Sequence, residues 1–190
     1  MKNREEALAL LHEYTQSDSL QKHALSVEAV MRHFARKLGE DEEGWGLTGL
    51  LHDFDYERHP TAEEHPVVGC RILEERGYPH EIIQAILGHA EHTHTPRETA
   101  MARHLFACDE LAGMITAVAL VRPNKSIHEV EVKSVKKKLK DKSFARTVNR
   151  DDVKKGMEEL GVEPTEFIAE VIAAMRGVAK EIGLDGEGPA

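Results

Sequence analysis

Disulfide chemistry is nearly absent from this chain. Only Cys70 and Cys108 are cysteines among 190 residues, and both fall in apolar, helix-forming stretches. No disulfide framework is implied, so a reducing, cytoplasmic setting is expected. Aromatic residues are also scarce, at 5%, which leaves no stacking platform for single-stranded nucleic acid. Positive charge is in deficit: 25 Lys and Arg against 34 Asp and Glu give a net charge of −9. Proteins that track a duplex lean basic, so no polymeric nucleic acid is expected as a partner. A small anion stays open, because a bound metal overrides the global field locally. Apolar runs never approach the ~18 residues of a membrane span. The opening Met1-Lys2-Asn3-Arg4-Glu5-Glu6 holds no hydrophobic signal core.

What is present is helical periodicity. The length suits one domain with added elements. Residues 4–14 read as a short amphipathic helix. A stronger one covers 20–38, where Leu20, Ala24, Val27, Met31, Phe34 and Leu38 recur at three- and four-residue steps and Gly39 stops the run. Residues 41–51 bring Trp45, Leu47, Leu50 and Leu51 inward despite three glycines. A charged connector follows from Tyr56 to Glu64. Pro66 opens a helix to Arg76, and Pro79 opens another in which Ile82, Ile86 and His89 share a face. Further helices are expected over 97–120, 127–142, from Asn149 to Gly161, and from Pro164 to Ile182. No alternating stretch lasts long enough for a strand. The fold class is therefore all-α, with eight or nine helices and short connections. An N-terminal helix and turn (1–19), a core (20–121), a C-terminal helical extension (122–183) and a frayed tail (184–190) are the expected parts.

The chemistry concentrates at Gly49-Leu50-Leu51-His52-Asp53-Phe54-Asp55, where an apolar run ends in an adjacent histidine and aspartate. His23, His65, His89 and Asp109 lie on or beside other apolar helix faces. Four imidazoles and two carboxylates could hold two divalent ions, with Asp53 as the natural bridge. Manganese, iron, zinc, nickel and cobalt all suit such donors. Asp109 is the sharpest case, because an unpaired carboxylate among Leu105, Cys108 and Ala112 would be costly to bury. Plainer roles exist for each residue. His23 could be a hydrogen-bonded residue at the core edge, His65 a helix cap before Pro66, and Asp109 a partner of Arg103 or a lysine.

The set His23, His52-Asp53 and Asp109 resembles the signature of the HD superfamily of metal-dependent phosphohydrolases. Glu64-His65-Pro66-Val67-Val68-Gly69-Cys70-Arg71-Ile72-Leu73 is similar to the extra histidine segment of its two-metal members, and Ala85-Ile86-Leu87-Gly88-His89 to the next. The resemblance covers roughly residues 20–120. It implies an HD-type helical bundle with additional C-terminal helices. It also implies one metal on His23, His52, Asp53 and Asp109, and a second on Asp53, His65 and His89. There are departures. Phe54-Asp55-Tyr56 stands where many relatives have Ile-Gly-Lys. His89 is followed by Ala90 rather than a second histidine, which argues against cyclic-dinucleotide cleavage. The region from Arg122 to Ala145 resembles an extension of small HD proteins.

The activity implied is hydrolysis of a phosphate ester of a nucleotide or other small phosphorylated metabolite by metal-activated water. Beside Asp53, the candidates for proton transfer or positioning are Asp55, His59 and His92, with His94 nearby. Arg122, Lys125 and Lys133 could reach a substrate phosphate. The lysines at 136, 137, 138, 140 and 142 surround their helix and read as a solvated face. A di-iron HD-type oxygenase and a non-catalytic, metal-stabilised sensor or interaction domain are the alternatives. The partner expected is a small anionic phosphorylated substrate, with no membrane, and the chain as monomer or homodimer.

Overall fold

In the computed structural model the described residues run from 2 to 186. Their order is α1 (Arg4–Tyr14), α2 (Asp18–Leu38), α3 (Glu42–Leu51), α4 (Val67–Glu75), α5 (His80–His89), α6 (Ala100–Leu120), α7 (Val132–Lys140), α8 (Arg150–Leu160) and α9 (Pro164–Arg176). Single 3-10 turns lie at Glu91–Thr93 and Ile127–Glu129. The fold is an all-α, multi-helix bundle with C-terminal helices beyond the core. Among the described residues the one β-type contact is an isolated bridge between Ser126 and Asp185.

Local chemistry sets the helix ends. Asn3 caps α1, with its side-chain oxygen accepting from Glu6 N, and Thr99 caps α6 by accepting from Ala102 N. The α6 start therefore falls later than the 97 expected from composition, since Pro96 and the Thr99 cap precede the first turn. Asn149 caps α8 by accepting from both Asp151 N and Asp152 N. Two expected helices are shorter. The stretch 127–142 divides into the 3-10 turn and α7, and α9 gives way to turns after Arg176. Leu184 is buried, and its carbonyl accepts from Ile127 N at 2.8 Å. That ties down the first part of the expected tail, while 187–190 lie outside the described residues.

Helix α6 is the central post. It is apolar around most of its circumference, as a helix surrounded by others must be, and Leu105, Leu111, Met114 and Ile115 on it are fully buried. Each such side chain contributes about 1.5–3 kcal/mol relative to exposure. Helices α2, α5 and α8 pack on α6, and α3 packs along α2. Two close approaches matter for the site. A Cβ on Gly49 would sit 2.8 Å from Val27 O, so only glycine lets α3 lie this close to α2. A Cβ on Gly156 would sit 2.5 Å from Ala107 Cα, which fixes α8 against α6 in the same way.

Candidate metal centre

Five elements deliver six side chains to one place. His23 comes from the second turn of α2, His52 from the end of α3, and Asp53 from the turn after it. His65 stands just before α4, His89 is the last residue of α5, and Asp109 lies midway along α6. The imidazole rings stand edge-on to one another. His23 and His52 are 5.2 Å apart between centroids, His52 and His89 5.4 Å, and His65 and His89 5.3 Å.

The donors divide into two groups, His23, His52, Asp53 and Asp109 in one and Asp53, His65 and His89 in the other, each with ligand atoms within 4.8 Å of one another. Asp53 belongs to both, and its oxygens divide accordingly. Oδ2 faces His52 Nε2 at 3.6 Å, while Oδ1 faces His65 Nε2 at 3.1 Å and His89 Nε2 at 3.2 Å. Asp109 Oδ1 lies 2.9 Å from His23 Nε2 and 3.4 Å from His52 Nε2. The chain thus holds two spatially distinct clusters able to coordinate two divalent ions.

Hydrogen bonds behind the rings fix their tautomers. His52 Nδ1–H donates to Gly49 O at 2.7 Å, His89 Nδ1–H to Ile86 O at 2.5 Å, and His65 Nδ1–H to Asp55 Oδ1 at 2.9 Å. In the neutral ring each of these leaves an Nε2 lone pair directed at a carboxylate. His52 Nε2 is fully buried and has no hydrogen-bond partner. Lone pairs and carboxylate oxygens around one small volume call for a cation, and outer partners that orient the imidazoles are the usual companions of metal ligands. The residues present therefore fit a pair of divalent ions.

Without a metal, protons do part of that work. Burial opposes charge on His65, but bonds to Asp53 and Asp55 outweigh it and lift its pKa to about 9. Burial likewise opposes charge on His52 and His89, yet Asp53 and Asp109 raise both. Burial pushes Asp53 and Asp109 upward, but the surrounding imidazoles hold both carboxyls below their ordinary range. Glu110 differs: burial and then the charge of Asp109 push it up to about 7.

Asp55 is buried, at 1% exposure, and lies behind the centre rather than on its open side. One oxygen accepts from His65, and the other accepts from Gly69 N at 2.8 Å. A Cβ on Gly69 would fall 2.6 Å from Asp55 Cγ, so glycine there makes room for the carboxylate.

Five of the six donors line a cavity of about 540 Å³, and His52 is buried behind them. His92 is on its wall and donates Nε2–H to His65 O at 2.9 Å. His59 is not on that wall; its ring lies 3.4 Å from Glu64. His94 lines a neighbouring surface hollow with Arg97 and Arg103. The three cationic residues singled out for a phosphate are not among the cavity's lining residues. Arg122 follows the end of α6, and roughly three turns, on the order of 16 Å, separate Asp109 from that end. Lys125 is exposed, and Lys133 pairs with Glu131 at 2.8 Å beside a separate groove.

The rest of the lining includes residues to which sequence reasoning gave no role in the site: Tyr56, Glu91, Phe106, Glu110, Thr147, Val148, Asn149 and Asp152. The cap signature Asn149-Arg150-Asp151-Asp152 was a legible signal for a helix start. Nothing in it said which cavity that helix would face.

Residues 20–119 match the family described as HD domain. Curated relatives include Ribonuclease Y from two strains of Nitratidesulfovibrio vulgaris, each 33% identical over 98 residues, or 51% of this chain. The match covers 18% of each relative, so the chain spans less than a fifth of their length. No solved structure matches at comparable significance. No helix among the described residues is long and apolar enough to cross a membrane.

Proposed function

The chain belongs to the HD domain family, and from that premise we propose a metal-dependent phosphohydrolase acting on a nucleotide or other small phosphorylated metabolite. The observation that supports it most is the division of the Asp53 oxygens between two donor clusters. When bound, a pair of divalent ions polarises phosphate oxygens and lowers the pKa of water beside them. His23, His52, Asp53 and Asp109 would hold one ion, and Asp53, His65 and His89 the other.

The chain's own residues do the rest. Asp55 keeps His65 in the tautomer with its lone pair on Nε2, and Gly69 N–H holds Asp55 in place. His92 has committed Nε2–H to His65 O, so Nδ1 holds the lone pair in the neutral ring, and only the imidazolium form would carry a proton there for the leaving oxygen. His59 and the cations Arg122, Lys125 and Lys133 have no place in this reading, because none of them lines the cavity. The test is phosphate release from a panel of esters by metal-stripped protein, before and after manganese, zinc, iron or nickel is restored. Activity that returns with metal supports the reading, and none with any metal sinks it. A phosphodiester in RNA is a second reading, favoured by the relatives named Ribonuclease Y, and a short RNA belongs in the same panel.

A further inference from the structure

The residues facing the donor clusters carry information about what enters. Among the described residues no lysine or arginine lines the 540 Å³ cavity. Four carboxylates outside the bridging position do: Glu91, Asp109, Glu110 and Asp152. Glu91 is already paired, with Arg97 at 2.7 Å and Lys155 at 2.5 Å. Among the described residues Glu110 and Asp152 form no ion pair, although Lys155 and Arg97 lie near enough to act on Asp152. Glu110 Oε2 accepts from Asn149 N at 3.0 Å, and Asp152 Oδ2 accepts from Asn149 Nδ2 at 2.6 Å. The second oxygen of each carboxylate takes no part in these bonds.

This part of the lining joins α6, which lies in the family core, to α8, which lies beyond it. Thr147, Asn149 and Asp152 lie outside the residues that match the HD domain. Their position is fixed by the close fit of Gly156 on Ala107 and by Val148, whose Cγ2 would lie 3.9 Å from a Cβ on Gly113. The family core thus supplies the donor clusters and Glu110, and the extension adds Thr147, Val148, Asn149 and Asp152 to the same cavity.

We infer that Glu110 and Asp152 are specificity-determining residues that admit a substrate with one phosphate and a hydrogen-bond-donating, non-anionic tail, and reject those with a second phosphate. The inference rests on the phosphohydrolase reading. One phosphate is neutralised at the donor clusters. A second would meet an acidic lining that contains no described arginine or lysine, and like charges set against each other discriminate strongly. Hydroxyl or ammonium groups on the tail instead find acceptors. A cavity of this size holds a ligand of sugar-phosphate or nucleoside-monophosphate dimensions.

The experiment compares kcat/KM for a nucleoside monophosphate, its diphosphate, a sugar monophosphate, a sugar bisphosphate and p-nitrophenyl phosphate. It uses the metal-loaded native protein, Asp152→Asn, and the double variant Glu110→Gln with Asp152→Asn. Both changes are isosteric and keep an oxygen for the bonds from Asn149. The native protein should favour each monophosphate over its doubly phosphorylated counterpart by on the order of ten-fold or more. The double variant should narrow that ratio at least several-fold, mainly through KM. Asp152→Asn alone should fall between. A ratio that stays the same, or a native preference for the second phosphate, overturns the inference while leaving the phosphohydrolase standing. No release from any of the five esters overturns both.

Discussion

Replacing Asp55 by asparagine should weaken one metal and spare the other. The native carboxylate is buried and accepts from two N–H groups at once, His65 Nδ1 at 2.9 Å and Gly69 N at 2.8 Å. An asparagine offers one oxygen and one NH2. It can accept from His65 or from Gly69, and whichever it neglects then faces another donor. At 1% exposure no water stands ready to repair the loss. A buried group left unsatisfied costs about 1–3 kcal/mol of stability. Loss of an outer partner of a metal-bound histidine lowers metal affinity by about 10- to 100-fold, or roughly 1.4–2.7 kcal/mol. None of His23, His52 and Asp109 touches Asp55, so only the His65 and His89 cluster should respond. Calorimetric titration of metal-stripped protein would resolve the two binding steps, and His65→Ala would identify which step is which. The reasoning fails if Asp55→Asn leaves both steps intact, or weakens chiefly the step that His65→Ala does not remove.

Other outcomes follow from the same packing and charges. Gly69→Ala should mimic Asp55→Asn in the titration, because its Cβ would displace the Asp55 carboxylate; an unaltered second step would show that the carboxylate has room to move. Gly49→Ala should cost about 1–3 kcal/mol by overpacking α3 against the α2 backbone, measured by denaturant unfolding, and a change under about 0.5 kcal/mol would contradict the close contact. The metal-free protein should lose stability as pH rises. His65 is raised from 6.5 to about 9 in the fold, so its contribution is full below pH 6.5 and is lost as pH climbs through 9. Metal must displace that proton, so affinity for the second ion should rise across the same window. A flat stability profile between those values for the metal-free protein, with flat affinity beside it, would refute the coupling.

The helices were legible because apolar residues recur at helical steps and because Gly39, Asn149 and Pro164 mark ends or starts. The six donors were legible for a different reason: a histidine or aspartate on an apolar face conflicts with its surroundings, and that conflict survives in one dimension. His23 beside Val27 and Asp109 beside Leu105 and Ala112 are examples. The rest of the cavity lining had no such signal. Glu110 meets Asn149 only because α8 docks on α6 at Gly156, and no local pattern encodes that approach. The cations read for a phosphate lie off the cavity lining for a related reason. Arg122, Lys125 and Lys133 were singled out by charge, but charge says nothing about direction, and Lys133 turns to Glu131 at a separate groove. Asp55 stood one residue from Phe54 in a run of mixed character, and its burial behind His65 depends on Gly69, which sequence spacing does not relate to it.

The central claim is that the Asp53 carboxylate joins two metal clusters. Elemental analysis of protein purified without added metal and then reconstituted, alongside Asp53→Ala, tests it most directly. The account predicts about two divalent ions per chain in the native protein and at most about one, more weakly held, in the variant. One ion or none in the native protein, or an unchanged two in Asp53→Ala, would contradict it.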